Sequence, residues 1–282
     1  MECSGAAAPR TDTGGALVIG ASRYEVARLR TLRSTWWLLG ISLVVTVAIA
    51  FAIGMVSRTN DLEVEYLAIA LTAGTEFAPV PLTAVFAGLV GAFSLGHEYR
   101  YGTIRPALSA VPRRTALIVA KLAVTSVFAV LLAALNVAAA YVTLLVIPGE
   151  RLLAKGYGWD AVGRPILGFV LAVLIWGVVG LSLAGLFRNL PATIVVLLVV
   201  PLIVESILFA VLQFVPALDD VSWLSKYLPF SAGTAMVAVF QPSDFDQPDF
   251  DVATPLQGGL TFGAFGLVLF VAAWLLFRRR DA

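Results

Sequence analysis

Along the chain, apolar residues gather in long unbroken runs separated by short charged or proline-bearing stretches, the pattern of helices that are apolar all round. A helix needs about 20 such residues to cross roughly 30 Å of hydrocarbon. Runs of that order fall at 36–56, 80–96, 122–147, 166–187, 192–215 and 259–277, which predicts six transmembrane helices, the second being the shortest. A further apolar stretch at 66–73 is too short to span. It reads as an outward extension of the second helix or an interfacial segment, with Pro79 and Pro81 marking the break. In residues 23–33, Val26, Leu29 and Leu32 cover one side, with Arg33 falling among them and Tyr24 pointing elsewhere, an imperfect amphipathic pattern that predicts an interfacial helix before the first span, the alternative being a plain basic flank. Residues 1–22 are expected to be a disordered cytoplasmic leader, and residues 23–282 a single all-α integral membrane domain.

Composition strengthens this picture. Of 282 residues, 60% are hydrophobic and 13% charged, and the mean hydropathy is +0.92, whereas a soluble domain carries roughly a quarter charged residues. A disordered chain, a basic nucleic-acid-binding surface and a disulfide scaffold are excluded, the last because Cys3 is the single cysteine. With no basic n-region and apolar core near the start, the first span is expected to direct insertion.

Charge then orients the spans. With six of them, fourteen of the nineteen basic residues fall on one side: the leader, the 97–121 loop, Arg188 and residues 278–280. The other side holds Arg58, Arg151, Lys155, Arg164 and Lys226 with twelve of the eighteen carboxylates. Basic flanks stay inside, so both termini are expected to be cytoplasmic. A seventh span would put the leader and residues 278–280 on opposite faces and destroy the separation.

The 97–121 loop is the most patterned polar segment. Thr103 is placed to cap a short helix whose first turn tolerates Pro106, and Pro112 ends it. Tyr101, Ile104, Leu108 and Val111 fall at i, i+3, i+7 and i+10, an apolar stripe that needs something to bury against. It either lies back on the protein's own helix ends or docks into a groove on a separate cytoplasmic protein.

Glu98, then Gly102 and Thr103, then Pro112 and Arg113, then Lys121, in this order between the second and third spans, resemble the pattern of ABC-2-type permeases. These are the membrane subunits of many bacterial ATP-driven exporters. Six spans, a basic helix before the first and a long outer segment before the last extend the likeness over nearly the whole chain. The resemblance implies that Glu98, Tyr101, Gly102, Thr103, Ile104, Leu108, Val111, Pro112 and Arg113 form the ATPase-coupling element. In it the apolar stripe docks the partner, Glu98 and Arg113 anchor the loop, and Gly102 with Thr103 sets the bend. It further implies an ABC ATP-binding subunit that carries ATP and magnesium, a second permease copy or homologous permease, and a place among the lipids of the bacterial cytoplasmic membrane. The substrate would be hydrophobic or amphipathic and would move outward by alternating access. No cofactor is expected on this chain and no nucleic acid as partner. An energy source elsewhere agrees with the sequence, since a phosphate-cradling loop needs a Gly-Lys pair and Lys121, Lys155 and Lys226 follow alanine, alanine and serine.

Four further features compete for function. Glu205 is the one carboxylate inside a span and is a candidate for the substrate pathway, or for a hydrogen bond to a neighbouring helix. The apolar piece 227–240, broken at Pro229, predicts an outer re-entrant element, and Pro229 and Phe230 are candidates for the outer gate that the resemblance implies. The doubled Asp-Phe-Asp, Asp244 to Asp246 and Asp249 to Asp251, lacks the glycine turn and terminal glutamate of a calcium loop and reads as a solvated acidic loop, so no metal site is expected. His97, the only histidine, excludes a two-histidine zinc site and reads as an interfacial residue at the end of the second span. Small residues at Ala84, Gly88, Ala92 and Gly96, and at Gly259 and Gly263, predict close helix approach. Two other functions remain open: a membrane anchor or sensor linked to an ATPase, and an intramembrane enzyme, the latter poorly served by so few polar residues inside the spans.

Overall fold

Each apolar run becomes a helix, and the charged punctuation between runs decides less than expected about where the helices end. A computed structural model describes residues 14–58, 64–72, 81–110, 113–147, 159–237 and 253–279, and the described residues contain helices and turns but no strand. The elements are α1 (Gly14–Thr31), α2 (Arg33–Val56), α3 (Val64–Thr72), α4 (Leu82–Arg100), α5 (Ile104–Ala110), α6 (Arg114–Val146) and α7 (Trp159–Phe187). There follow α8 (Leu190–Val199), a π-turn (Val200–Val204), α9 (Glu205–Phe214), a 3-10 segment (Pro216–Tyr227), α10 (Pro229–Ala235) and α11 (Pro255–Arg279).

Among the described residues five helical segments are long and apolar enough to cross a membrane: Arg33–Val56, Arg114–Val146, Val162–Phe187, Leu190–Phe214 and Pro255–Arg279. The protein is therefore an all-helical, membrane-embedded, multi-pass protein. The expected second span, 80–96, corresponds to α4, which is not among the five: its 19 residues end in His97, Glu98, Tyr99 and Arg100, which dilute the apolar run. One other expectation also changes. Helix α1 begins at Gly14, so residues 14–22 of the expected leader are helical, while residues 1–13 lie outside the described residues. Within the stretch 66–73, residues 66–72 belong to α3, which packs Leu67, Ala70 and Leu71 against Ala50 of α2, Ala140 and Leu144 of α6 and Val162 of α7, while residues 73–80, which join it to α4, lie outside the described residues.

Helix α4 makes up in packing what it lacks in hydropathy. A Cβ on Gly91 would collide with the Gly177 carbonyl oxygen of α7, and one on Gly180 would collide with that of Gly88, so the two backbones touch. Gly96 likewise faces Leu190. Of the pair expected on the last span, Gly259 meets the Met236 side chain at ordinary contact distance and Gly263 meets nothing within 4 Å, while the close approach falls at Gly258, against the Ala232 carbonyl oxygen. Around the α4–α7 contact, Trp176, Phe169, Phe262 and Leu197 fill the core. Outward-facing Val44, Ile207, Leu267 and Val268 are well exposed, the surface a hydrocarbon solvent favours.

Candidate functional site

Polar side chains inside this apolar bundle concentrate at one end, where α1, α4, α5 and α6 meet. Lys121 was expected at the edge of a loop; because α6 starts two turns earlier, at Arg114, it stands inside a helix and is 0% exposed. Its Nζ donates to Glu25 Oε1 at 2.5 Å, Glu98 Oε1 at 2.6 Å and the Ser94 carbonyl at 2.9 Å. Arg28, one turn after Glu25 on α1, donates from Nη1 to Glu25 Oε2 at 3.1 Å and Glu98 Oε1 at 3.3 Å. It also reaches the Ser94 carbonyl at 2.5 Å and, from Nη2, the Phe93 carbonyl at 2.6 Å. Two carboxylates thus face two cations, a balance that makes burial tolerable, since each charge alone would cost several kcal/mol to desolvate. Burial raises the Glu98 carboxyl above its ordinary value of 4.5, and Lys121 and Arg28 pull it back.

The segment between α4 and α6 leaves this cluster through a tight turn. Tyr101 closes α4, its N–H donating to the His97 carbonyl at 2.9 Å, and Gly102 takes φ +68°, a left-handed cap that glycine adopts without strain. Helix α5 follows at once, with the Thr103 carbonyl accepting from Ala107 N at 3.2 Å. Of the apolar stripe, Ile104 is buried with Ala107 against Leu95, Leu117 and Phe277, and Leu108 packs at the edge of the same group. Tyr101 is 68% exposed, beside the exposed Arg105, Pro106 and Ser109. Arg113 is exposed at the start of α6, and Val111 and Pro112 lie outside the described residues. The inner half of the stripe therefore lies back on the protein's own helices, and the face left open is the polar and aromatic one.

His97 stacks on Phe93 with ring centroids 4.6 Å apart. Burial, then Arg28 and Arg100, hold its pKa below the ordinary 6.5, so the neutral ring is favoured. Deeper in the bundle, Asn136 Oδ1 accepts from Ser42 at 3.1 Å and Thr46 at 2.7 Å while its Nδ2 donates to the Leu132 carbonyl at 2.8 Å, tying α6 to α2.

The opposite end is built differently. Glu205, 4% exposed, begins α9, and its Oε1 accepts from Ser231 N of α10 at 2.5 Å. Phe230, 3% exposed, sits 4.9 Å from Trp176, 5.7 Å from Phe262 and 5.6 Å from Phe265, centroid to centroid. Pro229, with Tyr227, Leu260, Thr261, Ala264 and Phe265, lines an open apolar groove of about 490 Å³. The Asp-Phe-Asp repeats lie outside the described residues, among which no group of metal-ligating side chains occurs.

The structure joins Glu98 to Glu25, Arg28 and Lys121, three residues whose roles the sequence did not disclose. A lysine flanked by Ile118, Val119 and Ala120 before it and Leu122, Ala123 and Val124 after it was the available signal, since such a charge demands a carboxylate partner. Glu98 thereby serves the helix ends, and α5 itself rests on apolar contacts. Compared with known proteins, the chain matches no family model and no curated sequence.

Proposed function

We propose that this protein is the membrane subunit of an ABC-2-type exporter in the bacterial cytoplasmic membrane, moving a hydrophobic or amphipathic molecule outward. In this reading six helices cross the membrane, α4 among them, with both termini and α5 on the cytoplasmic side. A separate ATP-binding subunit supplies ATP, magnesium and hydrolysis, and a second permease copy or a homologous permease completes the pathway.

The observation that supports it best is the mounting of α5. Its inner face is fixed by Ile104 and Ala107, its outer face presents Tyr101, Arg105, Pro106 and Ser109, and its root is the Glu98–Lys121–Arg28–Glu25 cluster. A push on α5 is carried to α1, α4 and α6 together, because a buried ionic group with several partners resists distortion at each of them. That is what a coupling element requires.

The test is to purify the tagged chain from native membranes in mild detergent and identify co-purifying proteins by mass spectrometry. Stoichiometric recovery of a subunit with an ATP-binding loop, lost on Arg105→Glu, would support the reading. Recovery of the chain alone would overturn it and favour an anchor or an enzyme. Arg105 is a better probe than Leu108, since a charge at Leu108 also disturbs the protein's own packing.

A further inference from the structure

We infer that Glu205 is the positioning residue that holds α10, and with it Phe230, in the closed position at the end of the bundle away from α5. The inference builds on the export reading only for what that closure accomplishes; the contact itself stands apart from it.

The argument starts from how each side of α10 is attached. Toward α9 the attachment is polar: the Glu205 carboxylate accepts from Ser231 N. A second polar tie runs from α9 to the 3-10 segment, Gln213 Nε2 donating to Ser225 Oγ at 2.8 Å. Toward α7 and α11 the attachment is aromatic and close-packed, Phe230 against Trp176, Phe262 and Phe265, and Gly233 against Phe262. Apolar faces part and re-form without leaving a buried polar group unpaired, whereas the Glu205 contact cannot open in hydrocarbon without that penalty. Loss of α10 from its seat therefore has to break the Glu205 contact, and that contact sets how often the seat is left.

The experiment places a thiol on α10 by Ala232→Cys, a position 1% exposed, in a chain whose native cysteine is removed by Cys3→Ser. The purified protein in nanodiscs, open to solvent on both faces, is treated with a membrane-impermeant thiol reagent. Glu205→Ala should raise the labelling rate at position 232 by about tenfold or more, and Glu205→Gln, which keeps an acceptor oxygen, by less. A matching Ala129→Cys protein, with its thiol in the α4–α6–α7 core, should label at an unchanged rate in both backgrounds. An unchanged rate at 232 in Glu205→Ala, or a rise at 232 matched at 129, would overturn the inference, the second because it marks loosening of the whole fold. Neither readout involves ATP or a partner. Failure of the inference is therefore distinguishable from failure to recover an ATP-binding subunit.

Discussion

The two ends of the bundle hold their helices by opposite means. At the α5 end, four charged side chains on three helices share seven polar contacts, each charged group serving at least two others. At the far end a single carboxylate holds the Ser231 backbone, one further hydrogen bond joins Gln213 to Ser225, and most of the remaining cohesion comes from aromatic rings. The difference teaches which end is a frame and which can move. A network of ion pairs has one good geometry and loses much when distorted, whereas aromatic faces tolerate sliding and parting.

The comparison can be broken most severely at Lys121. Lys121→Met leaves Glu25 and Glu98 buried against one cation, and unfolding should show a loss of about 3–5 kcal/mol; adding Glu98→Gln should recover part of it, because the orphaned charge is then gone. If Lys121→Met is neutral, the cluster is not the frame described here. Phe230→Ala comes next, with a loss of about 3 kcal/mol from an emptied aromatic site. Measured by the same unfolding assay, a loss smaller than one from an exposed position would show that the far end is held by something else. The smallest effect belongs to His97. Its pKa is lower folded than unfolded, so its contribution is fully present above about 6.5 and declines as pH falls below that value. His97→Phe, which keeps the stack on Phe93, should flatten this acid limb; an unchanged pH profile would remove His97 from the α5 end.

Much of this was legible in the apolar runs, and what was missed has a physical cause. Spans such as 36–56 and 259–277 announce themselves because hydropathy is local, and their helices, Arg33–Val56 and Pro255–Arg279, depart from expectation by a few residues at most. Helix α4 is harder to read, since its place depends on Gly88 and Gly91 meeting Gly177 and Gly180, a property of two helices at once. Lys121 was assigned to a loop because a charge seen alone argues against hydrocarbon, and the partners that reverse that argument lie at Glu98 and Glu25, far back along the chain. Glu205 was visible as an anomaly, and the alternative of a hydrogen bond to a neighbouring helix is what the structure contains; Ser231, its partner, carries no sequence signal at all. For the coupling stripe, periodicity located the buried edge at Ile104 but could not say whose surface buries it.

Helix α6 has 33 residues, a rod of about 50 Å where a bilayer interior asks for about 30 Å. Its surplus length makes it a beam fixed at two points, Lys121 near one end and Asn136 about 22 Å further along. A beam so held can neither slide nor tilt by itself, because turning it by about 10° about Lys121 would carry Asn136 roughly 4 Å and break its bonds to Ser42 and Thr46. Any turn of α6 must therefore take α2 with it, and the charged cluster at one end and α2 at mid-length move as one body.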